Sequence, residues 1–123
     1  MEFDERHSIY LQIVEYISEG ILRGRYQEGE RVPSVREMAM DTEVNPNTVM
    51  RSYAELQERE IIQNQRGIGY FVSDGAYDQI RDEKVRRLLG EEVPRIVEAV
   101  RVLDISLQEL LRTIEKHYQE QSE

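Results

Sequence analysis

The stretch Val44-Asn45-Pro46-Asn47-Thr48-Val49-Met50-Arg51-Ser52-Tyr53 constrains the fold of this chain more than any other. Asn45 is a good helix N-cap, and Pro46 follows at the first helical position, where its missing N–H removes nothing the helix needs. A helix is therefore expected from Pro46 to about Arg59, burying Val49, Tyr53 and Leu56. Just upstream, Ser34 and Glu37 have the S-x-x-E spacing of a capping box, which opens a second, shorter helix burying Val35, Met38 and Ala39 and ending near Thr42. Downstream, Ile61-Ile62 and Tyr70-Phe71-Val72 read as two short strands joined around Gly67-Ile68-Gly69, a hairpin. Two helices separated by a tight turn and followed by a hairpin form a winged helix-turn-helix.

The flanks fit around this centre. Tyr10, Ile13, Val14, Ile17 and Ile21 recur at three- and four-residue spacing, so Ser8 to Gly24 reads as an amphipathic helix with Gly24 as its stop. Tyr26 to Val32 is a loop or a short strand. Beyond the hairpin, Leu89, Val93, Ile96, Val100 and Leu103 repeat with heptad-like spacing in a helical block over 76–103. Pro94 should kink or restart that block. Ser106 and Glu109 offer another capping box, and Leu107, Leu110, Leu111, Ile114 and Tyr118 follow on one face of a last helix. Residues 1–7 and 119–123 are expected to be mobile ends. The expected fold is mostly α with one small hairpin. A winged helix-turn-helix over 8–74 precedes a helical dimerisation region over 75–121.

Charge needs reading by position. The chain carries a formal net charge of −9, which argues against nucleic acid if taken globally, since phosphate contacts need Lys and Arg. Yet Asp and Glu are absent from 31–36, 44–54 and 61–73, and these segments hold Arg31, Arg36, Arg51 and Arg66. Surfaces built from them are locally positive. Cysteine is absent, and His7 and His117 lie far apart without ligand-like spacing. Neither a metal nor another cofactor is expected, no catalytic grouping is recognisable, and a reducing cytoplasm is the default compartment. No apolar run is long enough to span a bilayer, and no leader peptide is apparent.

Short polar side chains at a helix start are suited to reading base edges. Asn45 and Asn47 can pair with adenine, and Thr48 with a base or a phosphate. Arg51, four residues after Asn47, shares that face and can reach guanine or the backbone. Arg36, in the first turn of the preceding helix, is placed for a phosphate or guanine, and Ser34 is first a cap and second a phosphate ligand. Arg66 beside Gly67 makes a basic, flexible tip suited to a minor groove. Tyr53 reads as a core residue with a hydroxyl able to meet a phosphate, and Met50 has two destinations, the core or a thymine methyl group. Gly67-Ile68-Gly69 lacks the context of a nucleotide-binding loop.

Together, Tyr10-Leu11-Gln12-Ile13, Gly24-Arg25-Tyr26, Gly29 to Glu37, Val44 to Val49, Arg51-Ser52-Tyr53 and Gly67 to Val72 resemble the DNA-binding domain of the GntR family of bacterial transcription regulators. The Asn-Pro-x-Thr-Val start and the short C-terminal piece are similar to the small YtrA-like subfamily. The resemblance implies a homodimer bound to an inverted repeat of double-stranded DNA, commonly as a repressor. It assigns DNA contacts to Arg36, Asn45, Asn47, Thr48, Arg66 and Gly67. Many relatives carry arginine directly after Thr-Val, where this chain has Met50, with Arg51 one step on.

The apolar seam of Leu89, Val93, Ile96, Val100, Leu103, Leu107, Leu111 and Ile114 cannot bury itself and is expected to pair with a second copy. A pocket between the C-terminal helices and the wing is where a small-molecule effector would act, and the sequence names no such ligand. The competing reading is an acidic winged-helix interaction module without a DNA role.

Overall fold

The computed structural model describes Phe3, Asp4 and residues 6–122. Its elements are α1 (Ile9–Leu22), α2 (Val35–Thr42), α3 (Pro46–Glu58), β1 (Ile62–Gln65), β2 (Gly69–Val72), α4 (Ala76–Arg87), α5 (Val93–Val102) and α6 (Leu107–Gln121), with a π-helical stretch over Leu88–Glu92 between α4 and α5. The chain forms two compact units that divide at Asp82 and Glu83.

In the first unit, local chemistry sets the boundaries of the two central helices. Ser34 Oγ accepts from the Glu37 N–H at 3.0 Å while Glu37 Oε1 accepts from the Ser34 N–H at 3.1 Å, closing the capping box of α2. Asn45 Oδ1 accepts from the Asn47 N–H at 2.8 Å and starts α3, with Pro46 next. The turn between them passes through Glu43 in the left-handed region (φ 56°). At its far end α3 stops in a Schellman arrangement. Glu60 takes φ 62°, its N–H meets the Gln57 carbonyl, and the Ile61 N–H meets the Leu56 carbonyl. That closure buries Ile61 and aims the chain directly into β1.

The core lies where α1, α2, α3 and the hairpin converge: Ile13, Val14, Ile17 and Ile21 meet Val49, Tyr53 and Leu56, with Val32, Met38, Ile62 and Val72 around them. Ser52, fully buried on α3, donates to the Tyr10 carbonyl at 2.8 Å and so ties α3 to α1. The strands pair antiparallel from Ile62↔Val72 to Gln65↔Gly69. The segment before α2 adds one bridge, Arg31↔Phe71, on the other edge of β2. Ala76 and Ile80 at the start of α4 also belong to this core, so the first compact unit extends past 74 to Asp82. Glu28 fixes that start: its carboxylate accepts from the Gly75 N–H at 2.9 Å and the Tyr77 N–H at 3.1 Å.

The described residues at both ends of the chain make specific contacts or continue an element. Positions 1, 2 and 5 of the lead-in and position 123 of the tail lie outside the described residues. Phe3 packs against the core, and the Gln12 amide clasps Asp4 on both sides, accepting from its N–H at 2.8 Å and donating to its carbonyl at 2.7 Å. At the other end α6 stays helical to Gln121.

In the second unit the π-helical turn precedes Pro94, where the carbonyl four residues back, that of Gly90, would otherwise meet the proline ring. The chain passes the proline by this widened turn, with Val93 N–H bonded to the Leu88 carbonyl. A second Schellman closure ends α5: Asp104 takes φ 56° and the Ile105 N–H reaches the Val100 carbonyl. Ser106 Oγ then accepts from the Glu109 N–H at 3.1 Å to open α6.

Candidate nucleic-acid interface

The start of α3 presents an outward face opposite the buried stripe of Val49, Ser52, Tyr53 and Leu56. Pro46, Asn47, Met50 and Arg51 are exposed and Thr48 is half-buried. The side chains named from the sequence do not all remain equally available. Asn45 Oδ1 is committed to the cap, so a bidentate amide–adenine pair, which needs oxygen and nitrogen together, falls to Asn47. The Asn47 side chain has no hydrogen-bond partner among the described residues.

Arg51 is held rather than free. Its guanidinium lies 3.7 Å from the centroid of the Tyr10 ring on α1, a close cation–π stack. The pairing draws its charge toward the α1 side of the reading face. Tyr53 also resolves to one role: its ring is buried, and its hydroxyl donates to the Pro33 carbonyl at 2.6 Å rather than facing outward to a phosphate. Burial, with Tyr26, Glu37 and Tyr70 nearby, pushes its ionisation well above the ordinary phenol range. The hydroxyl therefore stays a neutral donor. Tyr70 meets it edge to face, ring centroids 5.0 Å apart. Met50 points outward, 57% exposed, which removes the core as its destination.

On α2, Ser34 is the cap and Arg36 is exposed, with no ion pair among the described residues. Arg36 comes together with Pro46 across a hollow of about 640 Å³ lined also by Val35, Ala39, Met40 and Val44. The wing turns over Arg66-Gly67-Ile68, where the Ile68 N–H meets the Gln65 carbonyl at 2.8 Å. Gly67 has φ 78° at the third position of that turn, which suits glycine. Arg66 is exposed and also lacks an ion pair among the described residues.

Two residues escaped the sequence assignment. Arg31 lies against Gly69, so closely that a Cβ there would fall 2.8 Å from Nε, and its Nη2 is 3.8 Å from Glu37 Oε1. It thereby joins the start of α2 to the wing. Its position in an acid-free segment was the available signal. Ile68, 62% exposed at the wing tip, is the other; an apolar residue between two turn glycines has no core within reach, and that pattern was readable.

The second unit carries a different kind of surface. Leu89, Val93, Ile96, Leu103, Leu107, Leu111 and Ile114 are exposed and Val100 is half-buried. Among the described residues, neither α5 nor α6 buries any. The described residues hold no cluster of metal-ligating side chains and no helix long and apolar enough to cross a membrane.

A capped helix-turn-helix backed by α1 and followed by a hairpin with a basic tip defines a winged-helix DNA-binding protein. Comparison with known proteins makes the class specific: residues 9–72 match the family described as "Bacterial regulatory proteins, gntR family", and the chain belongs to it. It is similar to the HTH-type transcriptional regulator YhcF of Bacillus subtilis, 36% identical over 92% of each chain. The HTH-type transcriptional repressor YtrA of the same organism is 32% identical, over 89% of this chain and 85% of that one. Among solved structures, a GntR family regulator from Listeria monocytogenes superposes with a TM-score of 0.79 at 34% identity, covering 93% and 98% of the two chains. The AraR DNA-binding domain in complex with its operator ORR3 gives a TM-score of 0.53 at 25% identity, over 59% of this chain and 86% of that one. The chain is a DNA-binding transcriptional regulator.

Proposed function

We propose that this regulator acts as a homodimeric repressor of transcription on a near-palindromic operator. The observation that carries the reading is the pair of apolar stripes on α5 and α6, which bury nothing among the described residues, in a chain that carries one reading head. A second copy supplies the missing partner for those stripes and, with it, a second reading head. Two-fold symmetry then turns one recognised half-site into an inverted repeat. The region over 8–74 reads DNA and the helices of 75–121 pair. The similar YtrA protein is a transcriptional repressor by name.

In this reading Asn47 and Thr48 address base edges, while Asn45 shapes the helix start that presents them. Arg36, Arg51 and the Ser34 end of α2 take phosphates, and Arg66 with Gly67 enters the neighbouring minor groove. The local absence of acids lets these cations act despite the net charge of −9.

Fluorescence anisotropy on upstream DNA of the protein's own gene, with scrambled competitor, tests it. Competitor-resistant binding of two chains per duplex, with affinity falling steeply as salt rises, is the expected result. Equal, weak binding to both DNAs would instead favour an acidic interaction module.

A further inference from the structure

Resting on the DNA-binding reading above, we infer that Met50 and Pro46 read thymine methyl groups, so that this protein selects A·T over G·C at the base pairs these side chains face. The outward face of α3 carries an unusual set of groups for a reading helix. Pro46 and Met50 lie four residues apart and therefore stack along one side of the helix, with Asn47 next to Met50 on the side away from Pro46. All three are exposed, Met50 by 57%. Arginine is the commonest reader of guanine, and the arginine of this face is engaged elsewhere: the Arg51 guanidinium stacks at 3.7 Å on Tyr10. What remains facing outward is one free amide with two apolar side chains to one side of it and the half-buried Thr48 to the other.

Each of these groups has a matching base edge. The amide pairs bidentately with adenine, and in the major groove thymine alone offers an apolar group, its C5 methyl. Guanine and cytosine present polar atoms at that depth, against which the Met50 thioether and the Pro46 ring would desolvate hydrogen-bonding groups without replacing them. The apolar character continues beyond α3. Val35, Ala39, Met40 and Val44 line the hollow that Pro46 shares with the stem of Arg36. A methyl entering beside Pro46 thus meets an extended apolar surface rather than an isolated side chain.

The experiment uses the full chain and the duplexes it enriches from a randomised library. Each thymine of an enriched duplex is replaced by uracil, which removes the C5 methyl and leaves the pairing edge intact, and affinity is read by anisotropy. At the thymine facing Met50 the loss expected for one buried methyl is about fourfold, or roughly fifteenfold when both half-sites are changed. Met50→Ala should abolish that penalty while still binding the duplex, and Met50→Arg should shift the enriched base at that position to guanine. Met50 is exposed, so neither variant disturbs the core.

Enrichment of a sequence that binds equally well with uracil throughout would overturn the methyl reading and leave the regulator reading intact. So would a uracil penalty unchanged in both Met50→Ala and Pro46→Ala. Failure to enrich any sequence would overturn the methyl reading together with the function beneath it.

Discussion

The hydroxyl of Tyr53 donates to the carbonyl of Pro33 at 2.6 Å, across the interval between α3 and the segment that enters α2. Both helices of the helix-turn-helix are therefore fastened at a point behind the reading face as well as through their connecting turn. The Tyr53 ring is fully enclosed at this point, while Pro33 on the accepting side is half-buried.

Tyr53→Phe should lower stability by about 0.5–1.5 kcal/mol, because it removes the bond to the Pro33 carbonyl while keeping the ring that packs on Tyr70. Urea unfolding followed by circular dichroism checks this. A midpoint equal to that of the native chain would mean that the carbonyl finds another donor.

Arg51 is expected to act on the DNA backbone rather than on a base, since the stack on Tyr10 draws its guanidinium toward α1. Arg51→Ala should weaken enriched and scrambled duplexes by the same factor and lower the salt slope by about one charge. Tyr10→Leu, which keeps the charge but removes the platform, should give a smaller loss with the salt slope unchanged. Selective loss on the enriched duplex alone would show that Arg51 reads a base after all.

These contacts mark the limit of what the sequence conveys. The beginnings of α2 and α3 are written locally, in Ser34 with Glu37 and in Asn45 with Pro46, and such caps can be read three residues at a time. The stripes of α1, α5 and α6 are equally local, being periodic. By contrast, Arg51 finds Tyr10, Tyr53 finds Pro33, and Arg31 lies over Gly69 only after distant segments have packed. The same holds for Ala76 and Ile80, whose return to the first core carries that unit past 74 to Asp82. The π-helical turn is intermediate: Pro94 announces a disturbance, but a kink, a restart and a widened turn all relieve the same clash. The outward position of Met50 could have been read, since it falls off the stripe defined by Val49, Ser52, Tyr53 and Leu56.

Acid should loosen the start of α2. The Ser34 N–H and then the Ser34 hydroxyl, which bond the Glu37 carboxylate, hold its ionisation below the ordinary value of 4.5, with Arg31 adding to the effect. A carboxyl whose folded value is depressed contributes stability above its unfolded value and loses it as pH falls through the folded one. The contribution of Glu37 should therefore be complete near neutrality and fade below pH 4.5. Glu37→Gln retains an acceptor but cannot titrate. Urea midpoints measured between about pH 6 and pH 3 should show the native chain ahead at the upper end and the gap closing toward the lower. A gap independent of pH would remove the charge of Glu37 from the account.

Introducing charge into the C-terminal stripes should separate reading from pairing. Ile96 and Leu111 are exposed on α5 and α6, so Ile96→Glu with Leu111→Glu removes no core contact from the winged helix. If the stripes pair with a second copy, two or more carboxylates would be brought into one apolar seam, and their desolvation opposes association. Light scattering should then report a single chain, with the far-ultraviolet dichroism of the winged helix retained. Each head would bind its half-site alone, without the high effective concentration that a paired partner provides. Affinity for the inverted repeat should consequently fall by about 10² to 10⁴-fold, while affinity for an isolated half-site stays the same. A double variant that remains dimeric, or that binds the full site as tightly as the native chain, would place the pairing surface elsewhere.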